Sequence, residues 1–238
     1  MKTLIAAFFL SIMSISIPMS AETVTILAFG DSITQGGVTK RAEYTYRLPL
    51  QQLLHDSGVN YNFVGSLDKG LHADFEWPEV APGVPFDPDH EGRYGIRTAP
   101  AVEALIENWD DARPAPDIVL IHLGTNDQKH GDFRANVYEP LAEAITFLRS
   151  KNPEVVILLG HLNFNDSPAA FRIGAQLTDL KNDHQSQASP IRTVHHYQGW
   201  TENPDAPDAD TFDWAHPNRK GQRKMAERWY EAMKPFLP

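Results

Sequence analysis

Five short runs of apolar and β-branched residues alternate with longer segments that have helical spacing. This alternation constrains the fold more than any other feature of the chain. The apolar runs are bounded by turn residues and comprise residues 24–29, 61–64, 118–123, 155–159 and 191–195. Helical spacing occurs in residues 46–56, 101–109, 137–150, 169–184 and 220–235. Nearly continuous apolar runs are typical of buried parallel strands. The alternation therefore predicts βαβ units, with a five-stranded parallel sheet between two layers of helices.

The N-terminal 21 residues resemble a secretory signal peptide. They carry one charge, on Lys2, followed by an apolar run and the small residue Ala21, after which we expect cleavage. No later segment approaches the roughly 20 apolar residues of a membrane helix. The remaining residues, 22–238, are expected to form one exported domain, located in the periplasm or the medium.

Composition excludes several kinds of site and partner. The chain has no cysteine, which excludes a disulfide framework and a thiolate zinc site. Its formal net charge of −10 disfavours nucleic acid and anionic membrane surfaces as partners. A neutral substrate is the natural expectation.

Three short motifs are expected to meet at one edge of the sheet. GDS (residues 30–32) follows the first predicted strand, and GTND (residues 124–127) follows the third. DWAH (residues 213–216) lies after the last strand, just before Asn218, which can cap the final helix. In parallel sheets, ligands bind beyond the carboxyl ends of the strands. The motifs are therefore candidates for one active site.

The residue types in these motifs match the needs of acyl transfer. That chemistry requires a hydroxyl nucleophile, a base, an acid that orients the base, and donors to the developing oxyanion. Ser32, His216, Asp213 and Asn126 are of the right types. Each also has a simpler interpretation, because serine and asparagine are common in turns and helix caps. Asp127 is expected to be a structural acceptor in its own turn.

Taken together, the motifs resemble those of the SGNH, or GDSL, hydrolases, whose four blocks supply Ser, Gly, Asn and His. The resemblance implies that Ser32 is the nucleophile, His216 the base and Asp213 its partner. It also implies a three-layer, flavodoxin-like α/β/α fold.

The resemblance further implies three donors to the oxyanion. They are the backbone amide of Ser32, a glycine amide and the side chain of Asn126. Gly95, in RYGIRT, fits the glycine block, and Gly92 is the competing candidate.

Within that superfamily, the chain is more similar to carbohydrate esterase family three, the secreted acetylxylan esterases. The similar stretches, in order, are GDSITQG, YRLPLQQLL, NFVGS, HEGRYG, PDIVLIHLGTND and HPNRKGQRKMAERWY. The chain departs from the family pattern at Tyr44 and Thr45 and in residues 160–164 and 194–199. These departures leave the triad intact and leave the acyl and sugar preferences open. The resemblance implies removal of acetyl groups from a plant cell-wall polysaccharide such as xylan.

Residues 67–94 are rich in proline, show no period and are expected to form a long loop over the active-site edge. The candidates for substrate binding are Asp31, Trp77, Phe86, Glu91, Arg93 and Tyr94. The aromatic residues could stack on sugar rings, and Glu91 and Arg93 could bind hydroxyls. Alternatively, the aromatic residues form a satellite cluster that pins the loop.

Neither a metal nor another cofactor is expected. His195 and His196 are adjacent near a strand end, so their side chains should point to opposite faces. His122 lies inside an apolar run and is expected to be a hydrogen-bonded core residue.

Two other functions remain open. A lipid or aryl esterase, or a thioesterase, would use the same triad, but its cleft should be lined with aliphatic groups. A non-catalytic carbohydrate-binding module would need the aromatic residues and not the triad.

Overall fold

A computed structural model of the chain describes residues 22–37, 45–72 and 76–238, and the predicted signal peptide lies outside these ranges. Six parallel strands form one sheet. They are β1 (Thr23–Gly30), β2 (Asn60–Val64), β3 (Glu91–Gly92), β4 (Ile118–His122), β5 (Val156–His161) and β6 (Ile191–His195). The main path runs β2-β1-β4-β5-β6, and β3 pairs with the last two residues of β1.

Helices cover both faces of the sheet. They are α1 (Ser32–Gln35), α2 (Arg47–Asp56), α3 (Thr98–Glu107), α4 (Glu139–Lys151), α5 (Pro168–His184) and α6 (Arg219–Met233). A π-helical turn, Arg134–Tyr138, leads into α4. In the described ranges, no helix is both long enough and apolar enough to cross a membrane.

The central strands β1, β4 and β5 are buried on both faces. In β1, Leu27 and Phe29 pack in the cluster that includes α3, α4 and α5, whereas Ile26 and Ala28 pack in the cluster that includes α2 and α6. This is the predicted three-layer α/β/α arrangement, and the fold prediction is confirmed.

Two details differ from the sequence-based prediction. The two-residue strand β3 adds a sixth strand, inside the segment that was expected to be only a loop. Helix α3 begins at Thr98, three residues before the predicted segment, because the Asp127 carboxylate accepts hydrogen bonds from the Thr98 amide (3.0 Å) and hydroxyl (2.8 Å). A helix cap supplied from a distant turn leaves no signal in the local sequence.

A buried arginine organises the described part of the loop at residues 67–94. The Arg47 guanidinium lies 5.3 Å from the Trp77 ring and 5.2 Å from the Phe86 ring. It donates hydrogen bonds to the carbonyls of Pro88 (2.7 Å), Thr34 (3.0 Å) and Gln35 (3.1 Å). Burial lowers the pKa of Arg47 to about 9. The aromatic residues of the loop thus surround a cation that ties the loop to α1.

We predict that Arg47→Met strongly destabilises the protein. Methionine preserves the apolar contacts but leaves several buried carbonyls without a donor, and each such group costs about 1–3 kcal/mol. The free energy of unfolding in urea should fall by about 3 kcal/mol or more. Arg223→Met, at an exposed position of α6, is the matched control and should change it little. Equal stability of the two variants would contradict this account of Arg47.

Two pairs of histidines lie near the carboxyl ends of β4, β5 and β6. His195 contacts His161, with ring centroids 4.5 Å apart, whereas His196 contacts His122 (5.5 Å) and Trp229 (4.6 Å). The adjacent side chains therefore point to opposite faces, as predicted. His122 is a fully buried core residue, as expected, and the Asn163 side chain is the polar group beside it.

We predict that these histidines make the fold sensitive to acid. Burial lowers the pKa of His122 and of His161 from 6.5 to about 4, so below pH 6.5 the unfolded chain binds protons that the folded chain excludes. Stability is therefore lost as the pH falls from 6.5 towards 4, by about 2 kcal/mol per histidine between pH 7.5 and 5. Asp31 acts in the opposite direction, because burial raises its pKa from 3.8 to about 6.

The melting temperature should accordingly be several degrees lower at pH 5 than at pH 7.5. His161→Leu should reduce this difference, since the variant lacks one titrating group. His130→Leu, at an exposed position, is the control and should leave the difference unchanged. A melting temperature that rises towards pH 5 would show that the sign is wrong.

Candidate active site

Ser32 is positioned by a tight turn between β1 and α1. The Asp31 carboxylate caps α1 by accepting a hydrogen bond from the Ile33 amide at 3.0 Å. A Cβ at Gly30 would lie 2.2 Å from Thr34 Oγ1 and 2.7 Å from the His122 carbonyl oxygen, so no side chain fits there. Ser32 is consequently held as the first residue of α1, at the carboxyl end of β1.

Ser32, His216 and Asp213 form one hydrogen-bonded chain. Ser32 Oγ lies 2.8 Å from His216 Nε2, and His216 Nδ1 lies 2.7 Å from Asp213 Oδ2. The other oxygen of Asp213 accepts hydrogen bonds from the backbone amides of Ala215 (2.9 Å) and His216 (2.7 Å). Partial burial raises the pKa of Asp213, but these hydrogen bonds outweigh it and hold the pKa below its ordinary value. The carboxylate is thus ionised and fixed against the imidazole.

The loop that carries Asp213 and His216 is anchored to α6. The buried Asp210 carboxylate pairs with Lys224 (2.6 Å) and Lys220 (3.1 Å). Asn218 caps α6, as predicted, by accepting hydrogen bonds from the Lys220 and Gly221 amides, while its Nδ2 donates to the Ala209 carbonyl. The triad residues at the end of the chain therefore rest on a rigid element.

Two aromatic rings lie nearly parallel to the imidazole of His216. The Tyr94 ring lies 6.0 Å away and is nearly parallel to it, at 6°, and the Phe212 ring lies 5.6 Å away at 18°. The Tyr94 backbone amide donates to Gln35 Oε1 at 2.8 Å, which ties this residue to α1. The imidazole is therefore restrained by its ring neighbours as well as by its hydrogen bonds.

The predicted amide donors lie in two turns near the strand ends. Asn126 Nδ2 donates one hydrogen bond to the Ile96 carbonyl at 2.9 Å, which orients the amide and leaves its second N–H for a ligand. Gly95, at a φ of +70°, occupies a turn closed by the hydrogen bond from the Ile96 amide to the Arg93 carbonyl. The competing Gly92 amide already donates to His90 Nδ1 at 2.9 Å. This contact favours Gly95 over Gly92 as the glycine donor.

Asp127 was expected to be a structural acceptor in its own turn, but its carboxylate acts elsewhere. Its carboxylate instead caps α3 through Thr98, and burial raises its pKa. Asp127 therefore links the turn of Asn126 to the segment that follows Gly95.

Five of the six substrate-binding candidates are held by contacts within the protein, and three of these, Asp31, Phe86 and Glu91, are buried. Asp31 is fully buried as the cap of α1, and Phe86 is only 7% exposed in a cluster with Leu48, Val80, Trp77 and Val84. The buried Glu91 accepts hydrogen bonds from Arg93 (2.8 Å) and from the Ser66 amide (2.5 Å). The alternative of a satellite cluster therefore describes this loop. Of the six, Tyr94 lies against the triad, with 52% of its surface exposed.

Trp214 is a site residue that the sequence analysis missed. It lies between Asp213 and His216, is 59% exposed and lines a cavity of about 710 Å³ together with Asn126 and Phe164. In the sequence this tryptophan was named only as part of the DWAH motif. A large aromatic residue between two triad residues was the available signal.

Histidine, aspartate and glutamate side chains do not form a metal-binding group of three or more within residues 22–37, 45–72 and 76–238. The paired histidines contribute to the core on either side of the sheet instead.

Comparison with known proteins agrees with this geometry. A multidomain esterase from Ruminococcus flavefaciens is 26% identical over 239 residues; the match covers 92% of this chain and 29% of that protein, so the chain spans less than a third of its relative. A carbohydrate esterase family 3 structure from Talaromyces cellulolyticus has a TM-score of 0.71 at 23% identity, covering 90% of this chain and 97% of that one. A family 3 carbohydrate esterase from Clostridium thermocellum has a TM-score of 0.69 at 25% identity, with the same coverage.

The model of the GDSL-like Lipase/Acylhydrolase family matches residues 28–224, a range that includes all three triad residues. The chain belongs to this family.

Proposed function

We propose that this protein is a serine esterase that removes acetyl groups from a plant cell-wall polysaccharide such as xylan. The observation that carries the proposal is the continuous hydrogen-bonded chain from Asp213 through His216 to Ser32. The same arrangement of nucleophile, base and acid performs acyl transfer on unrelated folds.

In the proposed reaction, Ser32 Oγ attacks the ester carbonyl carbon while His216 Nε2 takes the hydroxyl proton. The tetrahedral intermediate collapses, and the sugar oxygen leaves with that proton, so that acetyl remains on Ser32. Water then attacks the acetyl carbonyl and gives a proton to His216 Nε2. When the second intermediate collapses, acetic acid is released and the proton returns to Ser32 Oγ.

Asp213 stabilises the imidazolium that forms in both steps. Its carboxylate accepts from Nδ1, so Nε2 is the nitrogen left to exchange protons with Ser32. The backbone amides of Ser32 and Gly95 and the free N–H of Asn126 are the proposed donors to the oxyanion. In the described part of the chain, no hydrogen bond occupies the Gly95 amide.

The acetylated-sugar substrate rests on similarity and on the shape of the cleft. The family 3 carbohydrate esterases named above support a sugar ester. A lipid or aryl esterase, or a thioesterase, is the alternative with the same triad, but the cavity beside Asn126 carries charged as well as aromatic residues. A non-catalytic binding module has no use for an assembled triad. We further propose that residues 1–21 direct export of the enzyme and are removed.

We predict that Asn126→Ala lowers kcat by roughly 10²–10³ with little change in KM. In the wild-type protein, the Asn126 amide is proposed to bind the oxyanion more strongly than it binds the carbonyl oxygen of the ground state. Its loss should therefore lower kcat more than it changes KM. Asn126→Asp keeps the size of the side chain and places a carboxylate next to the forming charge, so it should be at least as damaging. Both variants can be assayed with 4-nitrophenyl acetate. A near-normal kcat for Asn126→Asp would assign Asn126 a purely structural role.

The function itself is tested by acetate release from acetylated xylan, mannan, pectin and chitin oligomers. The wild-type protein should release acetate from at least one of them, and Ser32→Ala should lose this activity while keeping its melting temperature. An organophosphonate should label Ser32 alone. Hydrolysis restricted to long-chain acyl esters or thioesters would refute the acetyl-polysaccharide assignment and leave the triad assignment in place.

A further inference from the structure

The cavity beside Asn126 is much larger than an acetyl group needs. Its volume is about 710 Å³, within the range of pockets that hold ligands of drug size. Asn126 forms part of its wall, so the cavity is continuous with the proposed oxyanion donors. With acetyl as the proposed acyl group, this cavity has room for the larger part of the ester, which lies on the other side of the scissile bond.

One wall of this cavity is an exposed aromatic platform. Trp214 is the most exposed large hydrophobic side chain among the described residues, at 59%. Its ring lies 6.2 Å from that of the buried Phe164, at an interplanar angle of 27°. The residues on either side of it are fixed by the hydrogen bond from the Ala215 amide to Asp213 Oδ1. An indole held in place yet open to water is suited to stacking on a ligand.

Polar groups line the cavity together with this platform. The Glu202 carboxylate is held through Oε2, which accepts hydrogen bonds from the backbone amides of Asn165 and Asp166. Among the described residues, its other oxygen has no hydrogen-bond partner and is left to accept from a ligand. Lys129 supplies an ammonium group to the same lining. A fixed acceptor and a donor can replace the water around sugar hydroxyls.

An alkyl chain would use only the apolar part of this lining. It would offer no hydrogen bond to the half-buried Glu202 carboxylate, and it would leave the exposed Lys129 ammonium to water. A pyranose ring presents an apolar C–H face to an indole and hydroxyl groups around its edge, so both kinds of lining residue are used.

We propose that this cavity is a subsite for a neutral pyranose ring of the substrate, stacked on Trp214 and hydrogen-bonded by Glu202. The assignment rests on the proposed function, since the ester on that sugar must reach Ser32. It identifies Trp214, a residue inside the DWAH motif, as a determinant of substrate class.

The subsite is tested by binding without catalysis, in the Ser32→Ala protein. Isothermal titration with xylotetraose, mannotetraose and chitotetraose should detect binding of at least one of them. Adding Trp214→Ala should weaken that binding at least tenfold, whereas Trp214→Phe should retain most of it. Phe171→Ala is the matched control, because Phe171 is 51% exposed and does not line this cavity. It should leave the affinity unchanged.

Three results would overturn the subsite: no binding of any tetrasaccharide, equal affinity with and without Trp214, or tighter binding of octanoate than of every sugar. The subsite and the proposed function can be refuted separately, because sugar binding and acetate release are measured in different experiments. Trp214-dependent binding without acetate release from any polysaccharide would refute the proposed function and keep the subsite. Acetate release by the wild-type protein without such binding would refute the subsite alone.

Discussion

The parallel pairing of β1 with β4 is the constraint on which the site depends. Gly30 pairs with His122, so the residues that follow each strand emerge side by side at one edge of the sheet. Ser32 lies two residues beyond this pair on one strand, and Asn126 lies four residues beyond it on the other. The strands can approach this closely at the turn because Gly30 has no side chain to meet the His122 carbonyl. A proposed nucleophile and a proposed oxyanion donor are thus brought together by backbone pairing alone.

The part of the site that carries Asp213 and His216 is held by ionic and capping contacts rather than by the sheet. Asp213 and His216 lie in a loop, and the buried Asp210 carboxylate with its two lysines fixes this loop to α6.

The active site also has a cost in stability, since Asp31 is buried beside Ser32 with a pKa raised to about 6. At neutral pH the fold therefore holds an ionised carboxylate whose burial lowers the free energy of unfolding. Active sites commonly retain such destabilising groups, because function requires their position.

Local pattern was sufficient to predict the sheet, because strand burial is a property of neighbouring residues. The grouping of Ser32, His216 and Asp213 was predicted from the resemblance of short motifs to a known family. The substrate-binding residues were not predictable in the same way. Whether Trp77 and Phe86 face solvent depends on Arg47, which is distant in sequence and whose guanidinium draws both rings inward. Conversely, Trp214 is exposed because its short loop packs on Phe164, a contact about fifty residues away in sequence. The sequence therefore indicates which aromatic residues are candidates for a binding surface, and long-range packing decides which of these residues are exposed.

The loop that Arg47 holds and the imidazole of His216 are in contact through Tyr94. This loop leads through β3 to Tyr94, whose ring lies nearly parallel to the imidazole of His216, as does the ring of Phe212. Ring contacts of this kind restrain the plane of the imidazole, on which its contact with Ser32 depends. The loop thus contacts the base, whereas Trp214 and Glu202 line the cavity beside Asn126. The aromatic residues consequently divide into a group that positions the imidazole and a group that faces the cavity.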